Sequence, residues 1–90
     1  MAYRIEFKPR AARDFQALAK DAQRRIRPRI DALSANPRPS GCRKLQGSPN
    51  RYRIRVGAYR VIYDVRDDVL LVLVLRVAQR STAYRHIENL

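Results

Sequence analysis

The sequence predicts a small α+β domain: two N-terminal helices packed on one face of a mainly antiparallel sheet, in the order β-α-α-β-β-β. Three observations predict it. Residues 2–8 alternate with period two, as a half-buried strand does. Two stretches of helical periodicity follow. Then RYRIRVGAYRVIYDV, residues 51–65, reads as a hairpin, and an unbroken apolar run, residues 69–75, supplies a further strand.

In the first strand Tyr3, Ile5 and Phe7 point one way, and Arg4, Glu6 and Lys8 the other. Pro9 suits the first turn of a helix. Ala11, Ala12, Phe15, Leu18 and Ala19 recur at helical spacing, so this helix is predicted to reach about Lys20. Asp21 is the predicted N-cap of a second helix, whose stripe is Ala22, Ile26, Ile30 and Leu33. Pro28 removes a hydrogen bond inside that helix, at a cost of about 3 kcal/mol, so a kink or a restart is expected there. The Pro- and Gly-rich residues 36–41 end it. Residues 44–47 form a short extended piece before the turn at residues 48–50.

Ninety residues make one domain, residues 1–90. The charge is unusual: 20 Lys and Arg against 8 Asp and Glu give +12 at pH 7. All the basic residues but Lys8, Lys20 and Lys44 are arginines. Such a surface attracts polyanions, and the planar guanidinium fork suits phosphate. One cysteine, Cys42, excludes an intrachain disulfide, and one His with one Cys makes no metal site. No signal segment opens the chain, and the longest apolar run is too short to span a bilayer. A cytoplasmic protein without a membrane partner or a cofactor is expected.

The hairpin register follows from its turn. Gly57-Ala58 fits a two-residue type II′ turn. Val56 then faces Tyr59, Arg55 faces Arg60, Ile54 faces Val61 and Tyr52 faces Tyr63. Tyr52, Ile54, Val56, Tyr59, Val61 and Tyr63 share the face that packs on the helices. Arg51, Arg53, Arg55 and Arg60 share the other face with Ile62 and Asp64. Directly opposed like charges are destabilising, so the Arg55–Arg60 pair makes most sense with an anion between them. A three-residue loop, residues 66–68, is predicted to follow. It would send Leu71, Leu73, Leu75 and Val77 to the core face and add Arg76 and Arg80 to the arginine face.

At these residues the chain resembles the RelE group of the RelE/ParE toxin superfamily. The resemblance rests on the Lys-Leu-x-Gly turn at Lys44, the Gly-x-Tyr-Arg-Val-Ile-Tyr strand from Gly57, and Arg80 followed by Tyr84-Arg85. It covers nearly the whole chain. It implies a RelE-like sheet, mixed at the first strand, and a short C-terminal helical segment. It also implies the toxin of a type II toxin–antitoxin pair: a metal-independent endoribonuclease that cuts mRNA in the ribosomal A site. There the ribose 2′-OH attacks the adjacent phosphate. The implied catalytic residues are Arg53, Arg55, Arg60, Arg80 and Tyr84; among the remaining basic residues Lys44, Arg51, Arg76 and Arg85 are expected to contact RNA.

The family prototype carries lysines where this chain has Arg53 and Arg55. Arginine stays protonated, so these two clamp phosphate and stabilise developing charge rather than transfer a proton. Tyr84 is either a base activated by neighbouring positive charge or a platform that stacks on a codon base. His86 has a suitable intrinsic pKa but lies in the terminal segment. Arg10, Arg13, Arg24, Arg25, Arg27 and Arg29 on the helices are placed to meet ribosomal RNA or an acidic partner.

The expected partners are a RelB-like antitoxin, the ribosome and mRNA, with operator DNA bound through the antitoxin. Two alternatives share the fold. One is a ParE-like DNA gyrase poison, and the other is a catalytically degenerate toxin acting as an antitoxin-bound co-repressor.

Overall fold

The computed structural model describes residues 2–79. Its elements are β1 (Arg4–Phe7), α1 (Pro9–Gln16), α2 (Lys20–Ala32), β2 (Arg43–Lys44), β3 (Arg51–Val56), β4 (Tyr59–Arg66) and β5 (Leu71–Gln79). The strands form one sheet in the order β1-β5-β4-β3-β2. β1 runs parallel to β5 and every other pairing is antiparallel, so the sheet is mixed at its first strand. The implied C-terminal helical segment lies outside the described residues.

The helices pack where periodicity placed them. Ala11 of α1, Ala22, Ile26 and Ile30 of α2 and its C-cap Leu33 are buried against Ile54, Val56, Val61, Tyr63, Val65, Val72, Val74 and Val77 of the sheet. Full burial of a side chain the size of Ile26 or Ile30 contributes about 1.5–3 kcal/mol. Tyr63 is the largest of the fully buried side chains, and its hydroxyl donates to the Pro37 carbonyl at 2.8 Å.

Helix boundaries differ from expectation in two places. α1 ends at Gln16 rather than near Lys20, and the N-cap of α2 is Ala19, not Asp21. One side chain accounts for both. Gln23 Nε2 donates to the carbonyls of Phe15 and Leu18, at 3.1 and 3.0 Å, so α2 supplies the cap that stops α1. Asp21 then falls in the first turn of α2, where its charge favours the positive end of the helix dipole. The helix does not restart at Pro28; it runs through to Ala32. Pro28 and Arg24, whose carbonyl it leaves without a helical donor, are both exposed residues.

The hairpin has the register its turn dictates. Val56 pairs with Tyr59, Arg55 with Arg60, Ile54 with Val61, and Tyr52 with Tyr63. Gly57 has φ +58° and Ala58 does not share the left-handed region, which matches a type II′ turn.

The connection to β5 corrects the sequence reading. The loop has four residues, 67–70, so Val65 pairs with Val72 and Tyr63 with Val74. Val72 and Val74, not Leu71, Leu73 and Leu75, therefore face the helices. Val69 is exposed in the turn. A β-bulge opposite Ile62 and Tyr63 leaves Leu75 unpaired and resets the parity. Beyond it Val77 lies on the helix face, as expected, and Arg76 pairs with Ile62. The physical reason is a second apolar cluster on the reverse face: Ile62, Leu75 and Ala78, flanked by Leu45 and Leu73. Both faces of this sheet need leucine, and an argument from one core cannot fix the register.

Two further features frame the site. Arg38 forks onto Asp67 at 2.8 and 3.2 Å, donates to the Tyr52 hydroxyl at 3.0 Å and lies over the Tyr52 ring. Tyr3 donates to the same carboxylate. Together Arg38 and Tyr3 hold Asp67 below the usual carboxylate range. The contacts tie the β4–β5 loop to β1 and to the segment before β2. The second feature is the shortness of β2. It pairs only with Tyr52 and Arg53, so no described strand covers the outer edge of β3 from Ile54 to Val56.

Candidate nucleic-acid interface

β3 alternates arginine with apolar or aromatic residues, so Arg51, Arg53 and Arg55 project from the face opposite the helices. β4 adds Arg60 directly across from Arg55. The three central candidates, Arg53, Arg55 and Arg60, are therefore gathered on one hairpin. Their environments differ. Arg55 is exposed and Arg53 is half-buried, whereas Arg60 is only 3% exposed.

Arg60 is the unusual group. Its Nε and Nη1 are buried and have no hydrogen-bond partner among the described residues. Its neighbours on this face are Ile62, two residues along, and Ala78, directly across β5. A guanidinium left unpaired among apolar side chains costs several kcal/mol by the usual desolvation argument. An anion placed at this point would recover that energy.

The other expected members are placed differently. Arg51 forks onto Asp64 across the strand pair, at 2.9 and 3.3 Å, and its charge is neutralised there. Arg76 lies on the arginine face opposite Ile62, as expected, but its charge is committed to a carboxylate. Its Nε bonds Asp14 of α1 at 2.8 Å, and the same carboxylate oxygen accepts from the Val77 amide at 3.0 Å. Lys44 pairs with Tyr52, which puts it on the helix side of the sheet. Arg80, Tyr84 and Arg85, with His86, lie outside the described residues.

A profile of the family described as "ParE toxin of type II toxin-antitoxin system, parDE" matches residues 5–84. The chain belongs to the RelE/ParE toxin family. It is 29% identical over 83 residues to the mRNA interferase toxin RelE of Escherichia coli K12, covering 90% of this chain and 86% of the relative. Its structure resembles that of archaeal RelE in the RelE–RelB complex of Pyrococcus horikoshii, with TM-score 0.79 and 32% identity, covering 92% of this chain and 100% of the other. The RelE–RelB complex of E. coli matches with TM-score 0.78 and 28% identity, over 87% of this chain and 96% of the other.

For this RelE-type toxin, sequence reasoning missed two residues. Pairing of β2 with β3 puts Arg43, not Lys44, opposite Arg53. Counting back through the β2–β3 turn would have placed it. Asp14 was also missed, although it is the one acid in α1 and sits three residues from buried Ala11, towards the packed side. Among the described residues no three His, Cys, Asp or Glu side chains cluster as metal ligands, and no helix is long and apolar enough to cross a membrane.

Proposed function

We propose that this protein is the toxin of a type II toxin–antitoxin pair and a ribosome-dependent mRNA endoribonuclease. The observation that carries the reading is buried Arg60, whose Nε and Nη1 have no partner among the described residues, set opposite Arg55 on a hairpin that also holds Arg53. Attack of a ribose 2′-OH on the adjacent phosphate builds negative charge on the phosphoryl oxygens. Arg60 meets that charge in a site that excludes water, where each fixed donor is worth about 10²–10³-fold in rate. Arg53 and Arg55 orient the phosphate. The products are a 2′,3′-cyclic or 3′ phosphate and a 5′-OH. Arginine does not exchange protons near neutral pH, so proton transfer falls to Tyr84 or His86, or is small beside alignment of the 2′-OH by the ribosome. No metal ion enters this scheme.

The partner in this reading is a RelB-like antitoxin. Support comes from solved relatives that are RelE–RelB complexes. The antitoxin masks the arginine hairpin or displaces the C-terminal segment, and carries the pair to operator DNA. The complex acts in the cytoplasm.

Primer extension on mRNA translated in a reconstituted system tests the reading. Wild type is expected to produce cuts in register with codons only when ribosomes are present, and Arg60→Ala to lose at least 10²-fold of that activity. Unchanged cutting by Arg60→Ala would overturn it. The family profile, described for ParE, favours one second reading, a gyrase poison. Inhibition of supercoiling without any RNA cleavage selects it. Normal growth on expression without antitoxin selects the degenerate co-repressor instead.

A further inference from the structure

Beside the uncovered edge of β3 lies a cavity of about 480 Å³, lined by Arg29, Ser40, Gly41, Ile54, Arg55 and Gly57. It is on the far side of β3 from Arg60, between the hairpin and α2. Arg25, one turn before Arg29, reaches the same place: its Nη1 lies 3.7 Å from where a Cβ on Gly57 would stand.

The ion pairing of α2 is selective. Arg24 bonds Asp21 and Arg27 bonds Asp31. Arg25 and Arg29, spaced i and i+4, have no carboxylate or hydrogen-bond acceptor among the described residues, and neither has Arg55. Like charges at this spacing repel, so the helix keeps its two unneutralised guanidiniums on the side of the cavity. Ser40 Oγ also makes no hydrogen bond among the described residues. In a two-residue hairpin the Val56–Tyr59 pair is the hydrogen-bonded one, so the Arg55 amide points away from β4. It points to the uncovered edge, consistent with the Arg51 carbonyl, on the same side, accepting from Leu45.

We propose that this cavity is a second phosphate site for the RNA strand, in which Arg25 and Arg29, with the Ser40 hydroxyl and the outward-pointing Arg55 amide, hold a backbone phosphate away from the cleavage point. The assignment rests on the nuclease reading for its strand, but its chemistry stands by itself. Arg55 borders the cavity and also faces Arg60, so the two sites are joined by one residue. A polymer with regularly repeated anions occupies both at once, which a single acidic side chain does not.

The test uses the full chain and a short fluorescent RNA whose 2′ positions are O-methylated and cannot react. Binding is followed by anisotropy across a salt series for wild type, for Arg25→Gln/Arg29→Gln, and for Lys8→Gln/Lys20→Gln, which removes the same charge from exposed positions with no part in the site. The cavity variant is expected to bind about 10-fold more weakly, with the slope of log affinity against log salt smaller by about 0.7 per lost phosphate contact. The lysine variant is expected to change much less. Arg29→Lys, which keeps the charge and loses the fork, is expected to fall between, and it guards against a folding defect. Equal losses in both double variants would reduce the site to net charge and overturn the proposal. So would weakened antitoxin binding by the cavity variant with RNA binding intact. Cleavage is read separately: cavity-dependent binding without cleavage removes the nuclease and keeps the site, and cleavage with cavity-independent binding does the reverse.

Discussion

Arg60 puts a permanent positive charge at a position only 3% exposed, where two of its donors lack partners among the described residues. Its stability cost and its use in binding are the same physical fact. Replacement by an apolar side chain of similar reach removes the cost, so Arg60→Met is expected to stabilise the free protein by about 1–3 kcal/mol while abolishing cleavage. Urea unfolding measures the first effect, and a loss of stability would show that Arg60 is satisfied in solution. Tyr63 gives a second residue-level expectation. Burial raises its pKa above the ordinary tyrosine value of 10.0. The unfolded chain ionises there first, so Tyr63 supports the fold below about pH 10 and that support is lost as pH rises further. Unfolding midpoints between pH 9 and 11 are expected to fall less steeply in Tyr63→Phe than in wild type.

At the scale of elements, the two hairpin strands and β5 show what a sequence discloses. The β3–β4 register was legible because turn chemistry and alternation agree: Gly57 sets the turn, and arginines and aliphatics sort to opposite faces. β5 was not legible, because leucines and valines alternate with nothing to separate them, and Leu75 is consumed by the bulge. Arg76 reached the position opposite Ile62 through that bulge and not through the loop length. Its partner Asp14 comes from a helix 62 residues earlier in the chain, a contact local pattern does not encode. The Asp14 carboxylate both neutralises Arg76 and caps the β5 edge at Val77. Both side chains of the pair are mostly buried, at 18% and 9% exposure. Asp14→Ala is therefore expected to cost about 3 kcal/mol, and Asp14→Asn less, since its amide oxygen still accepts from Val77. Equal stability of Asp14→Ala and wild type in urea would show that the bulge stands without the clasp.

For the whole molecule the deciding quantity is an excess of charge that the chain cannot neutralise internally. Glu6, Asp14, Asp21, Asp31, Asp64 and Asp67 each hold an arginine. A net charge of +12 on 90 residues remains. Self-repulsion of that size weakens the compact state and is screened over about 10 Å at 0.1 M salt. The melting temperature of the free protein is expected to rise with sodium chloride between about 0.05 and 0.5 M. A flat or falling dependence would mean that the repulsion is already relieved within the fold. Composition made this excess visible at once. Which arginines remain uncommitted was not visible, because ion pairs such as Arg38–Asp67 and Arg51–Asp64 are made by tertiary placement.

The brevity of β2 has a colloidal consequence. A strand edge that no described strand covers, with Ile54 and Val56 beside it, is a template on which another copy can pair, the usual first step of sheet-to-sheet aggregation. Arg55 stands on that edge, and Arg25 and Arg29 stand next to it. Their mutual repulsion keeps copies apart for as long as no anion fills the gap. The guanidiniums that would grip a phosphate thus also act as gatekeepers of solubility, and neutralising them exposes the edge to self-association.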